Sequence, residues 1–266
     1  MPELRLVDGL VMVKLETARE FLKWQHYPPK PIIGDMILPR GSLGLLVGDE
    51  ETYKSWLMLD MAWSVAEGSP WLIWNTTKTG VLLVNAELPK ELYWERWSQM
   101  VRNKKVCPDN LWVINDMRLK LDTAQGQTEL EGWVSNTGAG LVIIDNLYRV
   151  ASKGVNDGQV INMFLDGVDL IRGKYNAAVV IVHHNRKHQY DTGLHKKVDM
   201  GLEDATGSKY LVNHATTAWR VVRQNNLGVE DAITLYTAKL TFERPNLKPP
   251  PVTFVANDKA EFDVLV

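Results

Sequence analysis

The feature that most constrains this chain is a junction. A short apolar run, Leu43 to Val47, is bounded by glycines and passes directly into Gly48-Asp49-Glu50-Glu51-Thr52-Tyr53-Lys54-Ser55. Apolar residues then recur at helical spacing over 54–67 (Trp56, Leu57, Leu59, Met61, Ala62, Val65, Ala66), and Gly68 closes the segment. A buried strand, a polar turn and a helix in immediate succession form the opening of a βαβ unit. The alternation continues, with strands expected at 81–86, 111–114, 141–144 and 177–182, and helices at 88–102, 126–136 and 158–174. Strands that are apolar on both faces and alternate with helices predict an α/β fold, a mainly parallel sheet flanked by helices. Residues 218–223, 232–240 and 251–255 are separated by turn-like pieces and are expected as antiparallel C-terminal strands at one edge. Residues 1–40, ending in the turn-rich Tyr27-Pro28-Pro29-Lys30-Pro31, read as an arm leading into a single domain over 41–266.

Composition narrows the classes of function. The chain has 266 residues, 45% hydrophobic and 23% charged, enough to bury a full core. Lys plus Arg number 30 against 32 Asp plus Glu, so a uniformly basic nucleic-acid coat is excluded and any basic surface is local. One cysteine, Cys107, excludes an internal disulfide framework and a cysteine-based zinc site. The charged N-terminus and the absence of any apolar run of membrane-spanning length predict a cytoplasmic protein without a membrane partner.

Open parallel sheets bind ligands beyond the carboxyl ends of their strands, so the strand tips carry the candidate chemistry. The first tip matches the phosphate-loop pattern, Gly, four residues, Gly, Lys, then Ser or Thr, at every fixed position except one, where Tyr53 stands for the second glycine. In such a loop the backbone N–H groups of 48–56 cradle phosphates, Lys54 neutralises phosphate oxygens and Ser55 holds Mg²⁺. Candidate nucleotide contacts are therefore Gly48, Asp49, Glu50, Glu51, Thr52, Tyr53, Lys54, Ser55 and Trp56. The acidic pair Glu50-Glu51 suits such a cradle only if both side chains point to solvent. The second tip, Asn85-Ala86-Glu87, offers Glu87 as a general base for an attacking water; the same residue also fits as an acidic group at a helix start. The third, Leu141 to Ile144 followed by Asp145, has the form of a strand presenting a carboxylate to Mg²⁺. The fourth, Val179 to Val182 followed by His183 and His184, offers a group that senses the γ-phosphate. Zinc is the rival reading of that tip, since His184 and His188 lie four apart, but no third ligand stands at a fixed spacing.

Beyond the last tip, Arg186, Lys187, Lys196 and Lys197 outweigh Asp191 and Asp199, and Tyr190 can stack on a base. With Lys153 and Asn156 in the turn after Asp145, and Lys209, these residues are candidates for contact with single-stranded DNA; a solvated surface loop is the plainer reading of the same charges.

The order of these motifs resembles the RecA-like P-loop ATPases, and within them the RepA/DnaB-type hexameric helicases of phages and plasmids. The resemblance covers roughly residues 30–255 and rests on KSWLMLDMAWSVAEGSPWL (54–72), VLLVNAELP (81–89), LVIIDNLYRV (141–150), VVIVHHNRK (179–187) and ATGSKYLVNHATTAWRV (205–221). It implies ATP with Mg²⁺ at subunit interfaces, catalytic Glu87, Mg²⁺-binding Asp145, single-stranded DNA in a central channel and a homo-oligomer, either a hexameric ring or a filament. It also implies a basic residue donated by a neighbouring subunit, for which Lys239 and Arg244 are the candidates. The expected function is an ATP-hydrolysing motor on single-stranded DNA, foremost a ring-forming replicative helicase of a phage or mobile element. Two alternatives stay open: a recombination or annealing ATPase, and a non-hydrolysing nucleotide- or DNA-binding regulatory module, which the Tyr53 departure motivates.

Overall fold

Leu43, Leu45 and Val47 pack on one side of the first core strand and Leu46 on the other, and this two-faced burial sets the architecture. The computed structural model describes residues 6–7, 10–11, 15–23, 31–102, 104, 107–155, 157–184, 209–224, 231–241, 249–257 and 261–265. Two short hairpins come first, β1 (Leu6–Val7) with β2 (Leu10–Val11) and β3 (Pro31–Ile33) with β4 (Leu38–Pro39). Between them a single turn, α1 (Ala18–Phe21), is closed by a Thr17–Glu20 capping box. The main sheet contains β5 (Leu43–Gly48), β6 (Val81–Asn85), β7 (Leu111–Asn115), β8 (Leu141–Asp145), β9 (Ala178–His184), β10 (Thr217–Arg223), β11 (Ile233–Leu240), β12 (Val252–Ala256) and β13 (Phe262–Leu265). Its order is β13-β12-β11-β10-β5-β9-β8-β6-β7. The helices are α2 (Lys54–Glu67), α3 (Lys90–Val101), α4 (Ala124–Thr137), α5 (Leu147–Val150), α6 (Gly158–Tyr175) and α7 (Lys209–His214).

This is the expected α/β sheet with an antiparallel C-terminal edge, with two corrections. Residues 217–223 are not an antiparallel strand on both sides: β10 runs parallel to β5, from Thr217 beside Gly44 to Val221 beside Gly48, and is antiparallel only to β11. The tip of β10 therefore points to the same end of the sheet as the phosphate loop. A further strand, β13, pairs with β12, and Phe262 meets Phe254 edge-on at 4.9 Å. Gly44 permits the β5–β10 approach, because a Cβ there would lie 3.0 Å from the Trp219 ring.

Alternation along the strands divides the core. Leu46, Leu83, Ile143, Val180 and Val182 lie on the face covered by α2 and α3. Val47, Val84, Ile144, Val179 and Ile181 lie on the face covered by α4 to α7. A period of two then places Asn85, Asp145 and His184 on the α2 face and His183 on the other.

The last ten residues of the arm belong to this core, since Ile32, Ile33, Ile37 and Leu38 are all buried in it. They pack near a tryptophan cluster in which Trp71 stands 5.4 Å from Trp74 and 5.9 Å from Trp219. Trp63 is buried against Trp97, Trp56 is half-buried and Trp94 is exposed. α2 ends where Gly68 turns left-handed at φ 85° and donates its N–H to Ser64 O at 2.8 Å.

On the outer side of α2, burial pushes the Asp60 carboxyl up to about 6, with Lys104 opposing the shift and Glu261 adding to it. Lys104 itself pairs with Glu261 at 3.7 Å. Because the folded-state value exceeds the unfolded one, 3.8, Asp60's contribution to stability is fully present below about pH 4 and is lost as the pH rises through about 6. Asp60→Asn should therefore be more stable than the wild type near neutrality. The gap in urea-unfolding free energy should widen by roughly 1 kcal/mol between about pH 5 and about pH 7.5.

Candidate nucleotide-binding site

The turn between β5 and α2 is built to hold the Lys54 ammonium. Thr52 Oγ1 donates to Asp49 O at 2.8 Å, and Lys54 Nζ donates to the same carbonyl and lies 3.3 Å from Thr52 Oγ1. Lys54 is only 5% exposed. Burial lowers its pKa to about 8, while Asp145, Glu87, Asp49 and Glu50 pull the other way. Tyr53, in the position where the phosphate-loop pattern has glycine, adopts φ 58° and ψ 17°, the left-handed conformation that a glycine takes without cost. Its ring packs at the edge of the core, so the chain keeps the glycine-like backbone and adds a side chain that is itself partly buried. Tyr53 is also the N-cap of α2 and makes no side-chain capping bond, so the first-turn N–H groups of this 14-residue helix keep no side-chain acceptor. Glu50 and Glu51 are exposed, as a phosphate cradle requires, and Glu51 O accepts from Arg223 Nη2 at 2.7 Å.

The neighbouring strand tips close a cleft of about 390 Å³ over this turn, lined by residues 50–56 with Glu87, Arg96, His184 and Arg223. Asp145 lies beneath it, 3% exposed. Burial raises its pKa to about 6 and Glu87 adds to the rise; the Ser55 hydroxyl, hydrogen-bonded to it, opposes, as do Arg96 and Lys54. Among the described residues Asp145 Oδ1 is buried with no hydrogen-bond partner. A buried, unpartnered carboxylate oxygen beside a serine hydroxyl is a hard-oxygen donor set that fits Mg²⁺. Asn85, also buried, sets the Glu87 turn: its Oδ1 accepts from the N–H groups of Glu87 and Leu88 at 3.3 and 3.4 Å, and its Nδ2 donates to Leu88 O at 2.9 Å.

The structure thus brings Thr52 to Trp56, Glu87, Asp145 and His184 to one end of the sheet. His183 is buried on the opposite face, beside Val47 in register, and does not line the cleft. Gly48 ends β5 below the cleft, where a Cβ would lie 2.9 Å from Val221 O, and Asp49 contributes its carbonyl rather than a lining side chain. Three residues at the site lie beyond the sequence reading. Arg96 stands over the Trp56 ring at 5.8 Å, on a helix that no strand-tip search inspects. Arg223 is at a strand tip, but an antiparallel β10 would carry it away from the phosphate loop, and only the parallel pairing with β5 brings it there. Asn146 follows Asp145 directly, the place of a helix N-cap.

Of the DNA candidates, Lys153 is exposed in the turn after α5 and Lys209 opens α7. Asn156, Arg186, Lys187, Tyr190, Lys196 and Lys197, together with His188 of the zinc alternative, lie outside the described residues. Lys239 sits at the far end of the sheet from the phosphate loop, paired in register with Ala218. Its Nζ donates to Val212 O and Asn213 O at 2.6 and 3.0 Å, which ties β11 to α7 of its own subunit instead of leaving the ammonium for a neighbour. Arg244 lies outside the described residues.

The sequence matches the model of one protein family, described as AAA domain, over residues 10–190, more than half of the chain. The chain belongs to the AAA domain family. Its fold is RecA-like, as the order of motifs implies, and three solved structures share it. The ATPase domain of a helicase superposes with a TM-score of 0.63 at 13% identity, covering 85% of this chain and 86% of that one. A KaiC-like protein from the archaeon Pyrococcus horikoshii OT3 gives 0.60 at 11% identity, covering 86% and 91%. The flagellar accessory protein FlaH from Methanocaldococcus jannaschii gives 0.54 at 15% identity, covering 86% and 91%. No curated protein matches the sequence. Among the described residues of this RecA-like P-loop protein, no helix is long and apolar enough to cross a membrane.

The left-handed backbone at Tyr53 can be separated from the packing of its ring. Tyr53→Gly and Tyr53→Ala both lose the ring, but only alanine still bears the strain of φ 58°. In urea unfolding the glycine variant should exceed the alanine variant by about 1 kcal/mol.

Proposed function

We propose that this protein is an ATP-hydrolysing motor that acts on single-stranded DNA, foremost as a ring-forming replicative helicase of a phage or mobile element. The observation that carries the hydrolytic part is the meeting of Lys54, Ser55, Asp145 and Glu87 in one cleft, with Asp145 Oδ1 buried and unpartnered among the described residues. A degenerate loop kept only for binding has no chemical need for a second carboxylate at the tip of β6.

In this reading the N–H groups at the start of α2 and the Lys54 ammonium bind the phosphates. Phosphate oxygens replace the Asp49 carbonyl as the acceptor for Lys54. Ser55 and Asp145 are the residues that would hold Mg²⁺, which supplies charge neutralisation on the phosphate oxygens. Glu87, on a turn fixed by Asn85, takes the proton from the attacking water. His184 lines the same cleft and faces the terminal phosphate; burial, then Lys54, hold its pKa below the usual histidine range, so it meets the phosphate as a neutral ring. Arg96 and Arg223 stand at the rim as further cations for the nucleotide. The DNA part of the reading rests on the turn carrying Lys153 and Asn156 and on the 186–209 segment with Arg186, Lys187, Tyr190, Lys196, Lys197 and Lys209. Both follow strands that end in the nucleotide cleft, so nucleotide state and DNA contact share β8 and β9. The oligomer, a hexameric ring or a filament, is part of the same proposal, as is the donation of Arg244 to a neighbour's site.

Steady-state ATP hydrolysis with and without single-stranded DNA, wild type beside Glu87→Gln, tests this directly. The wild type should hydrolyse ATP and be stimulated by DNA. Glu87→Gln should lose about 100-fold or more in kcat while still binding nucleotide. A wild type inert under both conditions sinks the motor reading in favour of a binding module; hydrolysis indifferent to DNA sinks the DNA part alone.

A further inference from the structure

The side chain of Asn146 reaches three parts of the site at once. It is 3% exposed and follows Asp145 directly. Its Nδ2 donates to Glu87 Oε2 at 2.9 Å and lies 3.1 Å from His184 Nε2. Its Oδ1 accepts the Arg149 N–H at 3.2 Å, the N-cap bond of α5. These partners fix the orientation of the amide. Turning it over would set its N–H₂ against a backbone N–H and its oxygen against a carboxylate. With Nδ2 the donor toward the ring, His184 Nε2 must accept, so the imidazole is neutral and carries its proton on Nδ1.

We propose that Asn146 is a positioning residue for hydrolysis: one amide aligns the Glu87 carboxylate with the neutral His184 ring and pins that alignment to the first turn of α5. This rests on the reading of Glu87 as the base. A carboxylate attached only through a flexible side chain samples several rotamers, and the bond to Oε2 fixes its plane and leaves Oε1 to take the proton. The same amide makes the base and the γ-phosphate sensor one unit. A shift of the ring is felt by Glu87 through Nδ2, and by the Lys153 turn through Oδ1 and α5. Glu87 and His184 stand on different strands, β6 and β9, which are not neighbours in the sheet; the residue after β8, the strand between them, bridges the gap.

Two variants separate positioning from capping. Serine caps a helix as well as asparagine does but is too short to reach Glu87 and His184, whereas alanine does neither. Asn146→Ser should keep the wild-type melting temperature and lose about 10- to 100-fold in kcat, with KM for ATP within about twofold of the wild type. Asn146→Ala should show the same kinetic loss together with a lower melting temperature. A Ser variant with kcat at or above the wild-type value, or one whose loss lies in KM alone, overturns the proposal. A second measurement does not depend on turnover: ¹⁵N spectra of the histidine rings, with His184 assigned by His184→Gln. The wild type should show His184 protonated on Nδ1, and Asn146→Ser should move that proton toward Nε2; an unchanged ring overturns the proposal. A wild type without ATPase activity removes the hydrolytic reading, and the His184 spectrum then decides whether Asn146 sets the ring.

Discussion

A buried ammonium is the constraint on which the rest of the site depends. Lys54 opens α2 with almost no exposed surface, where burial favours its neutral form and several carboxylates favour the charged one. A cation in such a place is tolerated only when its donors are satisfied. Here the acceptors are the Asp49 carbonyl and the Thr52 hydroxyl, and their positions follow from the 49–53 turn. That turn needs left-handed backbone at both Glu51 and Tyr53. Arg223, from the tip of β10, holds it from the other side through Glu51 O, while pairing with Asp231 at 2.9 Å. The place of β10 beside β5 in the sheet is thus part of the phosphate loop's support and not merely an edge of the fold.

The carboxylates around Lys54 make the second half of the same balance. Asp145 is buried close enough to Glu87 for their repulsion to add to its desolvation, and Lys54 and Arg96 offset only part of this. A site in this condition is not at rest electrostatically. It gains when further positive charge arrives at Asp145 Oδ1 and when negative charge arrives at Lys54, and Mg²⁺ with a polyphosphate supplies both together. Neither alone suits the site as well: phosphate without the cation meets Glu87 and Asp145 across a small cleft, and the cation without phosphate leaves Lys54 beside it.

Much of this is legible in the sequence because the strands advertise themselves. Runs such as Leu43–Val47 and Leu141–Ile144 are apolar on both faces, which only a sheet covered on both sides explains, and the chemistry sits one or two residues past each run. The same property hides the faces. When every strand residue is apolar, alternation carries no mark of which side meets α2, so His183 and His184 are indistinguishable until the parallel register places His184 beside Gly48. The direction of β10 is hidden for a related reason. Trp219 and Val221 read as strand whether the neighbour is parallel or antiparallel, and only pairing with β5 decides it. Asn146 carries the faint signal of an N-cap residue after a strand, but its reach to Glu87 and His184 crosses 59 and 38 residues of chain. The hairpin at 31–39 is obscured by its prolines, which suggest a lead-in, although Ile32, Ile33 and Leu38 are deep in the core.

The three solved structures that share the fold are only 11% to 15% identical to this chain while covering most of it. At that distance side-chain identity cannot be what maintains the sheet; what persists is the pattern of two buried faces with polar groups at the carboxyl ends. A fold held this way tolerates wide change in its core provided volume and alternation are kept, but it gives no such freedom at the tips, where one residue of slip moves a carboxylate to the opposite face. Tyr53 shows where the freedom does lie. The backbone conformation of the phosphate loop is retained, and the glycine that usually supplies it is replaced by a residue that is strained at φ 58° and offsets part of that strain by packing its ring against the core. The loop is therefore selected for the direction of its N–H groups and of Lys54, and the residue type at position 53 is secondary to that direction.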